Sequence, residues 1–413
     1  MRIYLNPPEH FLRIKQSEDR SSGDTVLLFA PVRDLIARSN CYNPLRYPEL
    51  LQDSEKSDRE RLFIAAALRD AADARGNIGS TARGIADSEA FCPGQQLLMC
   101  AMECLHAEPT CIYNLEGIAL FLRAYLSADP FENSAVEELS RKSAGAESLL
   151  KALRCASEAD IRDAADGLLK LLMPVLDQNC LAVSMPGYRD GHIHFSDLLK
   201  TAYTVKTRNV KGEIRSYKRC DSLRDIETDE NIRVEDVLRP DVSLYIRAQL
   251  TDRLPDAIVR IMIHQLLQYA YDCGSGTSAV ELYLSIDWLC NPRNRTVLPG
   301  SLAELEEHGI RVIFYRETIT HVGARRVRLR AELGNMFCQD IMNHAYFTAP
   351  ESGSGSSGTE PPESGTGENA GDAAGGAGES DEAEQFILSG KDLSRRSGIF
   401  AGSELLKRVR RSC

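Results

Sequence analysis

Between about Asp58 and Leu176 apolar residues recur every three to four positions with few interruptions, and this run limits the fold more than any other feature. Its segments are Glu60 to Ala74, Gln95 to His106 after a Pro-Gly break, Asn114 to Leu126, Ala135 to Ala156, and Ala159 to Leu176. In the last of these, Leu168, Leu169, Leu171, Leu172 and Val175 supply an apolar face. The spacing assigns residues 58–178 to a helical region that follows a mixed segment, 1–57, with short strand-like runs at Arg2 to Leu5 and Thr25 to Ala30.

After Leu176 the pattern changes. Cys180 to Ser184 and Asp190 to Phe195 read as short strands around the Pro186-Gly187 turn, and Lys206 to Asp236 reads as a charged surface insertion. Leu254 to Cys273 is an amphipathic helix with Ile258, Ile261, Met262, Leu266 and Tyr269 at helical spacing. Ala279 to Ile286 then reads as a buried strand, Ser301 to His308 as a short helix and Ile310 to Tyr315 as a further strand. That order suggests parallel pairing. The fold class expected is therefore α/β, a helical N-terminal half followed by a parallel α/β region at 179–350.

Residues 351–385 read as a disordered acidic linker: residues 351–384 carry nine acidic and no basic side chains among Gly, Ser, Ala and Pro. The tail, 386–413, reverses the sign, with seven Lys or Arg against two acids. It reads either as a basic element that docks on an acidic partner or as a charged terminus with no dedicated role.

Composition narrows the class. The 413 residues are 43% hydrophobic and 26% charged, which excludes collagen-like, disulfide-scaffold and wholly disordered chains. No apolar run approaches the length of a membrane span, and the N-terminal residues lack the apolar core of a secretory signal, so a soluble, cytoplasmic protein without membrane partners is expected. A net charge of -11 makes nucleic acid an unfavoured partner for the body; Arg326, Arg328 and Arg330 would share one strand face, which is most simply a solvated one. The 12 cysteines are scattered and read as reduced thiols.

The segment most suggestive of chemistry is Gly191-His192-Ile193-His194-Phe195. On a strand, the period of two places His192 and His194 on one face, where two imidazoles meet one metal ion. Zinc or another divalent metal is the expected cofactor, and water bound to it would be acidified into a nucleophile. The simpler reading is two polar residues on an exposed strand face.

With this His-x-His pair, roughly residues 180–316 resemble the metal-dependent amidohydrolases, in particular their adenosine deaminase-like branch. The segments Asp241 to Leu250, Leu254 to Cys273 and Val280 to Trp288 can be laid on that family's strand, helix and strand. The resemblance implies a TIM-barrel-like region, a metal-activated water and a purine nucleoside or nucleotide substrate. The family's His-Ala-Gly-Glu segment, His-Gly segment and paired aspartates have no counterpart, and about 170 residues separate Cys180 from the linker where a complete barrel takes about 250. The region would then be an incomplete, degenerate or split barrel, without an assigned catalytic residue.

Other candidates have plainer readings. Cys92, Cys100, Cys104, His106 and Cys111 form a cluster in which a metal site is conceivable, but three of its thiols lie in an apolar helical context and the cysteines read as buried packing residues; His264 reads as a half-buried packing residue of its helix. His308 and His344 have no recognisable constellation. Gly274-Ser-Gly276 reads as a helix stop rather than a phosphate loop. Two functions follow: a metal-dependent hydrolase of the deaminase type, or a non-catalytic assembly or regulatory protein that acts through a protein partner or as a homo-oligomer.

Overall fold

A computed structural model describes residues 1–31, 39–73, 92–108, 111, 113–176, 203–208, 214–220, 231–273, 279–315, 340–341, 344–348 and 387–389. The chain opens with β1 (Arg2–Leu5), α1 (Glu9–Ser21), β2 (Thr25–Phe29) and the short β3 (Cys41–Tyr42). A helical stretch follows: α2 (Arg46–Leu50), α3 (Ser54–Ala72), α4 (Pro93–Ala107), α5 (Leu115–Leu126), α6 (Pro130–Ser140), α7 (Ala144–Leu153) and α8 (Glu158–Leu176). Then come β4 (Tyr203–Arg208), β5 (Ile214–Cys220), β6 (Asn231–Ile232), β7 (Val242–Ile246), α9 (Arg253–Cys273) and β8 (Val280–Leu284). The chain continues through α10 (Ile286–Cys290), α11 (Pro292–Arg295), α12 (Leu302–Glu307), β9 (Ile310–Phe314), β10 (Tyr346–Thr348) and β11 (Ile387–Ser389).

The protein is thus mixed α/β with a parallel sheet and a largely helical stretch from α2 to α8. Seven strands lie in the order β11-β10-β9-β8-β1-β7-β2. All neighbours are parallel except β10 and β11. The N-terminal segment therefore belongs to the main sheet, with β1 hydrogen-bonded between β7 and β8.

This order differs from the barrel pattern, in which strands joined by one helix are neighbours. Here α9 joins β7 to β8 and β1 lies between them, while β2 and β11 are the end strands of the sheet among the described residues.

The sequences of the adjacent interior strands β8, β1 and β7 explain their position. Arg2-Ile3-Tyr4-Leu5, Ser243-Leu244-Tyr245-Ile246 and Glu281-Leu282-Tyr283-Leu284 share one pattern of polar, aliphatic, tyrosine, aliphatic. Period-two alternation sends the aliphatic side chains to one face and the tyrosines to the other, and the strand register aligns Tyr245, Tyr4 and Tyr283. Both faces are buried, as a central parallel strand requires.

The aliphatic face joins one continuous core that extends through α9 to the helices α3, α4, α5 and α8. Helix α9 is buried along most of its surface because it lies inside that core, with Ile258, Val259, Ile261, Met262 and Ile263 fully buried. On the opposite face α1 lies across the tyrosines. Its Phe11 ring is 5.9 Å from Tyr4, 5.9 Å from Tyr283 and 5.4 Å from Tyr315.

Local departures from the sequence expectations have simple causes. The single helix expected over Ala135 to Ala156 is two, because the Ser143 hydroxyl accepts from the Ala146 amide and starts α7 anew. Within the stretch expected as a surface insertion, β4 and β5 form an antiparallel ribbon and β6 pairs in parallel with β3.

Candidate functional site

In an open parallel sheet, ligands commonly enter at the carboxyl ends of the strands, where successive connections leave in opposite directions. From β1 the chain crosses one face through α1 to reach β2, and from β7 it crosses the other face through α9 to reach β8. The ends of β1 and β7 therefore flank the switch point. The residues there are Asn6-Pro7-Pro8-Glu9 and Arg247-Ala248.

Asn6 closes this position. Its backbone takes a positive φ of 44°, a conformation that Asn tolerates better than most residues, and its amide donates to the Ile246 carbonyl at 2.8 Å. Its side chain then pairs with the Ala248 backbone in both directions: Nδ2 donates to the carbonyl and Oδ1 accepts from the amide, each at 2.9 Å. Beside it, the Arg247 amide donates to the Phe29 carbonyl at 2.8 Å, which fastens the end of β2 as well. The switch point is stitched by backbone and amide hydrogen bonds.

The entry to α1 is also poorly suited to an anion. Helix N-termini hold phosphate through free amides and a positive dipole end. Here Pro7 and Pro8 contribute no N–H, Pro8 occupies the N-cap position, and Glu9 adds a carboxylate to the first turn. An Arg247 guanidinium nitrogen lies 3.7 Å from the Glu9 carboxylate.

Towards the amino ends of the strands the tyrosine face carries a buried polar cluster. Asp19 of α1 is fully buried; the Tyr245 hydroxyl donates to its Oδ2 at 2.5 Å, and an Arg2 guanidinium nitrogen lies 3.0 Å from Oδ1. Arg2 also pairs with Asp24, and the Tyr283 hydroxyl donates to Glu281 at 2.9 Å. The Tyr245 and Tyr4 rings stack at 4.7 Å, and those of Tyr4 and Tyr283 are 4.6 Å apart. Among the described residues the Tyr4 hydroxyl has no hydrogen-bond partner.

This environment determines what the phenols can do. Burial raises the pKa of Tyr4, Tyr245, Tyr283 and Tyr315, and nearby carboxylates add to it: Asp19 for Tyr245 and Tyr4, Glu281 for Tyr283. None of the four can serve as a phenolate base near neutral pH. The cluster holds α1 on the sheet.

The sequence candidates fall as follows. His192 and His194 lie outside the described residues, as do the Arg326 to Arg330 stripe and Gly274-Ser-Gly276. Cys100, Cys104 and Cys111 are buried. Cys100 Sγ donates to the Ala146 carbonyl at 3.6 Å, and a hydrogen bond between Cys100 and Cys104 together with burial pushes the Cys104 thiol far above its ordinary pKa, as suits a packing thiol rather than a thiolate nucleophile.

The histidines have structural partners. His264 stacks on Phe63 at 3.9 Å, and its ring nitrogens lie 3.2 Å from Glu60 and 3.3 Å from the Val297 carbonyl. This joins α9 to α3. His308 stacks on Tyr271 at 3.9 Å. His344 Nδ1 approaches Glu306 at 3.2 Å, and the Tyr346 hydroxyl donates to the same carboxylate. Among the described residues no group of three or more His, Cys, Asp and Glu is placed to hold a metal ion.

The sequence reading missed Asn6, the Asp19 cluster and the Glu306 group. For the first, the signal was an Asn followed by two prolines directly after a strand. For the second it was the tyrosine recurring at one position in three strands. No known family model and no curated protein matches the chain. Among the described residues no helix is long and apolar enough to cross a membrane.

Proposed function

We propose that this chain is a non-catalytic assembly or regulatory protein that works through protein–protein contacts. The observation that carries this reading is the closure of the switch point by Asn6: the place where an open parallel sheet ordinarily takes its ligand is filled by the chain's own hydrogen bonds. The continuous core from the sheet to the helical stretch makes a stiff support for surface contacts. Phe131, at the start of α6, is 81% exposed, and protruding aromatic side chains are common anchors of protein interfaces.

In this reading the basic segment 386–413 engages an acidic partner, and the linker 351–385 gives it reach, both on grounds of composition. Sedimentation velocity on the full chain tests the proposal. It expects a defined oligomer or, with the partner present, a defined complex; a monomer that associates with nothing at any concentration contradicts it.

One observation favours a second reading, the metal-dependent hydrolase. The strand, helix and strand laid on the deaminase pattern do occur in order as β7, α9 and β8. His192 and His194 would then hold zinc, which supplies an acidified water for attack on a purine nucleoside or nucleotide. The insertion of β1 between β7 and β8 weighs against the barrel that this reading needs, and places it second.

A further inference from the structure

We propose that the outer edge of β10 is a strand-docking site, that Ile387–Ser389 is its resident occupant, and that the same segment of a second copy of this chain can replace it. This rests on the assembly reading and names its partner. Three observations on the sheet carry it.

First, β11 is joined to β10 in a way that no turn dictates. Antiparallel neighbours are ordinarily hairpins with loops of about two to five residues, and there the turn sets the register. Here residues 349–386, thirty-eight in all, separate Thr348 from Ile387. The pairing of Tyr346 with Ser389, Phe347 with Leu388 and Thr348 with Ile387 is therefore the docking of a tethered segment on an edge.

Second, the edge is held ready from behind. β10 pairs in parallel with β9, and the Tyr346 side chain is fixed to α12 by its hydrogen bond to Glu306, which His344 also approaches. The Arg311 guanidinium lies 5.7 Å from the centre of the Tyr346 ring. A fixed edge with open backbone groups is a template for another strand.

Third, the occupant is short and its tether long. Three residue pairs are few for a stable strand, so the segment can leave its place. Fully extended, thirty-eight residues reach at most about 130 Å, enough for delivery to a neighbouring molecule. The apolar trio Phe386-Ile387-Leu388 is preceded by Asp381, Glu382 and Glu384, a composition that keeps the released strand soluble. Exchange between two copies conserves the backbone pairs, and so costs chiefly the entropy of association.

The test uses a fluorescently labelled peptide of residues 384–390 and the full chain, wild type and the double variant Ile387→Pro, Leu388→Pro. Whichever of the two amides faces β10, the variant loses it. The peptide competes in the wild type with a tethered strand at an effective concentration on the order of millimolar, whereas in the variant the edge is free.

The expected result is saturable binding to the variant, binding several-fold weaker to the wild type, and none by a peptide that carries the same two prolines. Equal binding to both chains, or none to the variant, overturns the proposal. If circular dichroism shows that the double variant has lost its fold, the single variants Ile387→Pro and Leu388→Pro take its place side by side, since one of the two loses the amide that faces β10. A chain that forms a defined oligomer in sedimentation but binds no peptide overturns strand exchange alone and leaves the assembly reading intact.

Discussion

The Asn6 side chain and the Ala248 backbone exchange two hydrogen bonds of 2.9 Å across the carboxyl ends of β1 and β7. The pairing mimics one rung of a sheet ladder beyond the last strand residues. It extends the sheet one step beyond the carboxyl ends of the two strands.

Replacement of Asn6 tests both parts of this arrangement. Asn6→Gly removes the two hydrogen bonds and is expected to cost about 2 kcal/mol, at roughly 1 kcal/mol for each. Asn6→Ala loses the same bonds and must also hold a Cβ at positive φ, which adds about 1 kcal/mol. Urea denaturation of the two variants reads the difference, and an alanine variant as stable as the glycine one would contradict it.

Arg260 of α9 is 5% exposed, and its Nε lies 3.2 Å from the Asp256 carboxylate. Burial lowers the Arg260 pKa and raises that of Asp256, so each ion relies on the other. Asp256→Ala leaves a buried guanidinium with its main counter-charge gone, for an expected loss of about 3 kcal/mol or more. The double variant Asp256→Leu, Arg260→Met should recover most of it in thermal melts. A single variant as stable as wild type would show that the pair is not needed.

The tyrosine face makes the fold sensitive to alkali. Tyr4, Tyr245, Tyr283 and Tyr315 have folded pKa values raised above the ordinary value of about 10. Their contribution to stability is complete below about pH 10 and falls as pH rises beyond it, because the unfolded chain then loses protons that the folded chain retains. Tyrosinate absorbance should stay short of all 14 tyrosines until circular dichroism reports unfolding. Complete ionisation with the dichroism unchanged would refute the burial argument.

Tyr245→Phe isolates one member of that cluster. It deletes the hydroxyl that donates to the buried Asp19 carboxylate and is expected to cost about 1.5 to 3 kcal/mol, the range for hydrogen bonds to charged groups. Tyr4→Phe removes a hydroxyl with no partner among the described residues and is expected to be neutral or slightly stabilising. Equal losses in the two variants would place the effect in ring packing.

Local pattern made the longer helices and several of the sheet strands legible in the sequence, but not the short elements α2, β3, β6, α10 and α11. The apolar spacing of Leu254 to Cys273 gave α9 within a residue, and Ala159 to Leu176 gave α8 as closely. What local pattern could not reveal was the company of each strand. Nothing in Arg2-Ile3-Tyr4-Leu5 by itself says that it separates Val242–Ile246 from Val280–Leu284, because that pairing joins residues more than 230 positions apart. Helix α1 was missed for another reason: its charged residues obscure the period, and Phe11 and Leu12 are its main inward anchors. The part Asn6 plays in joining β1 to the end of β7 was invisible because it depends on Ala248, which is distant in sequence and contributes only backbone.

The most direct measurement is elemental analysis of the purified full chain beside the His192→Ala, His194→Ala double variant. An assembly protein with a closed switch point contains no stoichiometric metal in either sample. About one equivalent of zinc in the wild type and none in the double variant would contradict that account, would make His192 and His194 metal ligands, and would call for an assay of purine deamination.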